Sequence, residues 1–130
     1  MQEVYEFLKK CGTYYLATME GDQPRVRPFG TVDIYNGKLY IQTGKSKAVS
    51  HQIQQNAKVE LCGFCDGKWL RLSGKLVRDD SVAAKTHMLA QYPSLQAMYS
   101  PTDDNTEVLY FEDATATISS FTEPPVTVQF

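Results

Sequence analysis

Apolar and polar positions along this chain follow two spacings, and each predicts a different element. Val4, Phe7, Leu8 and Cys11 fall at i, i+3, i+4 and i+7, which predicts a short helix stopped by Gly12. Thr13–Met19 (TYYLATM) is rich in β-formers and predicts a strand. A turn at Glu20–Gln23 leads into a second strand, expected from Pro24 to about Tyr35. Asn36-Gly37 then gives a strong hairpin signal, with Lys38–Gln42 as the return strand. Thr43-Gly44-Lys45-Ser46 turns into a helix reaching about Gln55, with Val49 and Ile53 facing inward. Strands follow at Lys58–Phe64 and Lys68–Arg78, joined by an Asp66-Gly67 turn. A helix is expected from about Asp80 to Gln91, with Asp79 or Asp80 near its start and Pro93 beyond its end. Ser94–Tyr99 adds a turn of helix, and Ser100–Asn105 is a loop. Strands at Thr106–Glu112 and Ala114–Phe121 complete the pattern, and a tail from Glu123 closes the chain.

These elements predict a mainly β fold with short helices (α+β), six- to seven-stranded and antiparallel, curled into a small barrel whose openings the helices cover. Strict β–α alternation is absent, which argues against a parallel doubly wound sheet. At 130 residues, the chain is expected to be one domain, 1–130.

Composition narrows the class. Hydrophobic residues make up 42% and charged residues 22%, as in an ordinary soluble globular protein. No apolar run approaches the ~20 residues of a membrane span, and MQEVYEFLKK lacks an apolar signal core. Three cysteines, an odd number, suit a reducing compartment, so a cytoplasmic location is expected. A net charge of −2 argues against general nucleic-acid binding.

Charge is unevenly placed. From Arg25 to Lys58 there are six basic residues and one acid, Asp33. Arg25 and Arg27 share a strand face roughly 7 Å apart, where two guanidiniums repel unless an anion lies beside them. Lys45 and Lys47 sit at the start of a predicted helix, the positive end of its dipole, and that helix contains no acid. Gly, Ser and Lys with free backbone N–H groups at a helix start suit a phosphate. The Gly-x4-Gly-Lys-Ser/Thr spacing of a nucleotide-triphosphate loop is missing.

The helix followed by Gly12-Thr-Tyr-Tyr-Leu-Ala-Thr18, then Gln23-Pro-Arg-Val-Arg-Pro-Phe29, resembles the pyridoxamine 5′-phosphate oxidase-like family of FMN-binding split β-barrels. Tyr40-Ile-Gln-Thr-Gly-Lys-Ser-Lys-Ala48 and Gly67-Lys-Trp-Leu-Arg-Leu-Ser-Gly74 are similar to its small members. The resemblance implies a homodimer with FMN at the subunit interface. It implies that Arg25, Arg27, Ser46 and Lys47 bind the FMN phosphate, with Lys45 beside them. Pro28–Phe29 and Gln42–Thr43 would lie along the ribityl chain and isoalloxazine ring, and Trp69 or Arg71 would reach the flavin from the sheet. The chain is much shorter than true pyridoxamine phosphate oxidases and lacks their C-terminal Arg and His motif. Pyridoxamine phosphate is therefore not the expected substrate.

The expected activity is an FMN-dependent oxidoreductase acting on a small molecule, with NAD(P)H or a protein as electron donor. A non-catalytic flavin or haem binder or sensor of the same fold is the alternative. A third possibility is a thiol or zinc site at Cys62-Gly-Phe-Cys65. Strand residues three apart face opposite ways, so these thiols converge only if Gly63 makes a bulge. His51 and His87 read as ordinary helix residues, and Tyr14, Tyr15, Tyr35, Tyr40, Trp69 and Phe111 read first as packing residues.

Overall fold

In the computed structural model, which describes residues 1–130, the chain runs α1 (Gln2–Cys11), β1 (Tyr14–Glu20), β2 (Gln23–Phe29), β3 (Asp33–Tyr35) and β4 (Lys38–Gly44). It continues with α2 (Ala48–Gln55), β5 (Lys58–Cys65), β6 (Lys68–Asp79) and α3 (Val82–Gln91). A 3-10 turn (Pro93–Ala97), β7 (Thr106–Ser120) and β8 (Val126–Gln129) complete it. All strand pairs are antiparallel. The sheet order is β2-β1-β5-β6-β7-β4-β3, with β8 paired to β7. The fold is thus an open, split antiparallel sheet of eight strands, against the six or seven expected. No helix is long and apolar enough to cross a membrane.

Local signals place most elements. Gly12 ends α1 at φ 74°, and the Asn36-Gly37 and Asp66-Gly67 turns take the positive φ values that two-residue hairpins need. Ser81, rather than Asp79 or Asp80, caps α3, its hydroxyl accepting from the Ala84 N–H at 3.2 Å.

Three expectations change. The single strand expected over Pro24–Tyr35 is two strands at opposite ends of the sheet, because β2 pairs β1 while β3 pairs β4. At the break, distant side chains satisfy the backbone. Tyr14 Oη donates to Thr31 O at 2.6 Å, and Tyr92 Oη accepts from the Val32 N–H at 2.9 Å and donates to Val32 O at 3.1 Å. The two last strands expected, in contrast, are one. β7 passes Asp113 at φ 53°, and near there the register against β6 shifts between Ser73 and Lys75. The tail also forms a strand, and Phe130 exchanges backbone hydrogen bonds with Ala114 at 2.8 and 3.0 Å.

The main core cluster contains 18 buried residues and lies between the inner sheet face and the helices. Val4 and Leu8 of α1, and Val49 and Ile53 of α2, pack with Leu16, Leu61, Leu70, Leu72 and Leu109 from the strands. Full burial of one such side chain stabilises by about 1.5–3 kcal/mol. This packing fixes α2 against β1 and so sets the walls of the site described next.

Candidate functional site: a cationic cleft

A cleft of about 510 Å³ opens where β2, β4, the start of α2 and the 3-10 turn meet. That size lies within the ~300–1,000 Å³ usual for small-molecule sites. Arg27, Pro28, Phe29, Gln42, Thr43 and Lys47 line it, so six of the ten expected site residues converge. The Gly30–Val32 crossover puts them together. It carries the chain from β2 towards β4, where the Thr31 hydroxyl donates to Gln42 O at 3.3 Å and accepts from the Gln42 N–H at 3.0 Å.

Arg27 is the best-positioned cation. Its Nη1 donates to Thr18 Oγ1 at 2.7 Å and Leu16 O at 3.2 Å, and its Nη2 donates to Gln52 Oε1 at 2.7 Å. Thr18 donates to the same Gln52 oxygen at 2.5 Å, so β1 and α2 jointly hold the guanidinium. All these acceptors are neutral. Burial first, and then the neighbouring Arg25, push the Arg27 pKa down, the opposite of what a carboxylate partner would do. Lys47 likewise has no acidic partner, and α2 begins beside it without a side-chain cap.

Four expected residues lie elsewhere. Arg25 shares the strand face of Arg27, but it turns back to Glu20 at 2.9 Å on the surface and does not line the cleft. Lys45 points towards Asp80 and Asp104, at 3.4 and 3.7 Å, so acids from outside α2 compensate it. The Ser46 N–H is taken by Asn105 Oδ1 at 3.1 Å, and the Lys45 and Lys47 N–H groups by Asn105 O and Gly44 O. The expected cradle of free turn N–H groups is therefore already hydrogen-bonded within the chain. Trp69 lies outside this cleft, its ring centroid 5.0 Å from that of Phe121, while Arg71 pairs with Glu60 at 3.4 Å across β5–β6. Gln42 and Thr43 are almost wholly buried, and the Gln42 amide donates to Thr43 O at 3.1 Å, so they form floor rather than reaching out.

The far wall was not visible in the sequence. Tyr92, Ser94, Leu95, Met98 and Tyr99 come from the 3-10 turn and its flanks and line the cleft together with Phe29 and Val49. The only local hint is their aromatic and Met content around Pro93. Two cations without acidic partners together with apolar and aromatic side chains in one lining fit a planar aromatic group carrying a phosphate, and the residues present are compatible with FMN.

Cys62 and Cys65 do not converge, because β5 keeps unbroken register with β6 through Gly63 and leaves them on opposite faces. No three His, Cys, Asp or Glu side chains are placed to hold a metal.

Comparison with known proteins agrees on the fold. Residues 1–117 match the family described as pyridoxamine 5′-phosphate oxidase. A NimC/NimA family protein from Clostridium acetobutylicum is 46% identical, covers 100% of this chain and 92% of its own, and superposes with a TM-score of 0.97. General stress protein 26 from Bacillus anthracis, 16% identical, covers 99% of this chain and 97% of its own with a TM-score of 0.77. A haem-binding protein from Mycobacterium smegmatis, 11% identical, covers 96% of this chain and 57% of its own with a TM-score of 0.72. No curated protein matches. With its family match over most of its length and a close relative of the same fold, the chain belongs to the pyridoxamine 5′-phosphate oxidase family of split β-barrels.

Proposed function

We propose that this protein binds FMN in the cationic cleft and works as an FMN-dependent oxidoreductase on a small molecule. The observation that carries the reading is that Arg27 and Lys47, two cations without acidic partners, line the same cleft, with Lys47 at the uncapped start of α2. Arg27 and Lys47 bind the phosphate. Phe29, Val49 and the Tyr92–Tyr99 wall exclude water from the ring. Bound FMN supplies hydride or electron transfer at its N5, so the chain needs no nucleophile of its own. The protein's contribution is to fix the phosphate through a guanidinium already held by Thr18 and Gln52, and to orient the ring.

A homodimer completes the reading. Direct cross-strand pairing puts Tyr15, Val26 and Phe64 on the outward face of the sheet, with Trp69 beside Phe64. Tyr15 is 54% exposed, Val26 68% and Phe64 67%. A shared face with that much exposed apolar surface suits a second copy of the chain. Trp69 and Arg71 lie on this face, from which they would approach a flavin held across the interface. Light scattering at micromolar concentration tests the assembly, and a monomer would remove this part of the reading.

A visible spectrum of the purified, unsupplemented protein tests the cofactor. Flavin absorbance, or its appearance after FMN is added, supports the proposal. A Soret band points instead to haem, and a protein that stays colourless with FMN refutes it. Reduction by NADH or NADPH then separates an enzyme from a flavin carrier.

A further inference from the structure

Helix α1 and the β5–β6 turn are joined by two neighbouring contacts that flavin binding does not use. Lys10 forms an ion pair with Asp66, and each of these residues is followed or preceded by a cysteine, Cys11 and Cys65. Position 63 on β5 is a buried glycine, and a Cβ there would lie 3.1 Å from Cys11 Sγ. The missing side chain is what lets the Cys11 sulfur rest against the strand. Cys65 follows two residues later on the same inward-facing row, whereas Cys62 is exposed on the other face. Cys11 therefore meets β5 on the row that carries Cys65, and the Cys65 sulfur is among the groups that act on the Cys11 thiol. Burial first, and then the Cys65 sulfur, push Cys11 up to about 11, so at neutral pH Cys11 keeps its proton. All three cysteines are free.

We infer that Cys11 and Cys65 are a redox-active thiol pair, which hydrogen peroxide oxidises to a disulfide tying α1 to the β5–β6 turn. The Cys65 sulfur, as thiolate, attacks one peroxide oxygen. The O–O bond breaks, the other oxygen leaves as hydroxide and takes a proton to become water, and Cys65 becomes a sulfenic acid. The Cys11 sulfur then attacks the Cys65 sulfur. An S–S bond forms, the S–O bond breaks, and the hydroxyl leaves with the Cys11 proton as a second water. Two thiols thus lose two electrons and two protons, and one peroxide is reduced to two waters. Cys62, facing the other way, takes no part.

The test uses folded full-length protein treated with stoichiometric hydrogen peroxide, then alkylated and digested with trypsin without reduction. Cleavage after Lys10, Arg25, Lys58 and Lys68 leaves Cys11 in one peptide and both Cys62 and Cys65 in another. The Cys62→Ser variant therefore makes the assignment unambiguous. The expected result is an intramolecular link between the two peptides in wild type and in Cys62→Ser, lost on adding dithiothreitol. Cys65→Ser should abolish it, and Cys62→Ser stands alone if that variant fails to fold. A Cys62→Ser protein that keeps both thiols, or carries only sulfinic acid or intermolecular links, overturns the inference. So does a wild-type link that disappears in Cys62→Ser.

Discussion

Replacing Arg27 with alanine removes one cation from the cleft while sparing its surroundings. Its partners Thr18 and Gln52 keep their mutual hydrogen bond at 2.5 Å, and Leu16 O stays in the β1 backbone. What is lost is a half-buried guanidinium held by neutral acceptors, with its charge free for an incoming anion. A charge-assisted contact to phosphate at such a site contributes about 1.5–3 kcal/mol. The dissociation constant for FMN should therefore rise about 10- to 150-fold. Arg25 supplies the internal control. It is only two residues away but paired with Glu20 at 2.9 Å on the surface, so its alanine variant loses about 0–1 kcal/mol of screened attraction, fivefold at most. Both variants are titrated by flavin fluorescence at fixed ionic strength, with FMN and with riboflavin, which lacks the phosphate. The Arg27 penalty should be confined to FMN. Equal penalties for the two ligands, or an Arg25→Ala loss as large as that of Arg27→Ala, would refute the placement of the phosphate.

Other expectations concern stability. Glu107 is 1% exposed and paired with Arg78 at 2.5 Å, while its Oε1 has no hydrogen-bond partner. Arg78→Ala strands that carboxylate and should cost about 3 kcal/mol in urea unfolding, with part regained when Glu107→Gln is added. Gly74→Ala places a Cβ 3.1 Å from Glu112 O and 3.2 Å from Ala114 Cα, both backbone atoms, and should destabilise by about 1–3 kcal/mol. An unchanged urea midpoint would show that the bulge yields. For Asp103, burial alone would raise the pKa, but the Thr106, Ser100 and Asn105 N–H groups and the Thr106 hydroxyl outweigh it and hold the carboxyl well below the usual range. Its stabilising contribution is thus complete above the ordinary value of about 4 and is lost as pH falls below it. The gap in urea midpoint between wild type and Asp103→Asn should be present at pH 7 and shrink on acidification. A constant gap would contradict the assignment.

Much of the site was legible because its carriers are local. Arg27 and Lys47 stand out by charge, Pro28 and Phe29 come with their strand, and the Gly44–Lys47 turn announces a helix. The departures of Arg25, Lys45 and Ser46 from the cleft lining have one cause. Sequence spacing says which side chains share a face, but not which acids or carbonyls approach from elsewhere. Glu20, Asp80, Asp104 and Asn105 took those partners, and the last three lie 35 to 60 residues away. The C-x-x-C pair follows the strand geometry expected of it, with no bulge at Gly63. Cys62 and Cys65 are neighbours in the chain and opposed in the strand, while Cys11, more than 50 residues earlier, lies beside Cys65.

The sequence by itself determined the helices, most strands, the tight turns and the family, because periodicity, glycine at positive φ and local charge act over a few residues. It also put two uncompensated cations in one stretch. Only the tertiary structure decided that the stretch after Phe29 leaves β2 and joins the other end of the sheet, since Tyr14 and Tyr92 satisfy that crossover from a distance. That crossover turns a row of basic residues into a cleft with a floor, a far wall and two cations in its lining.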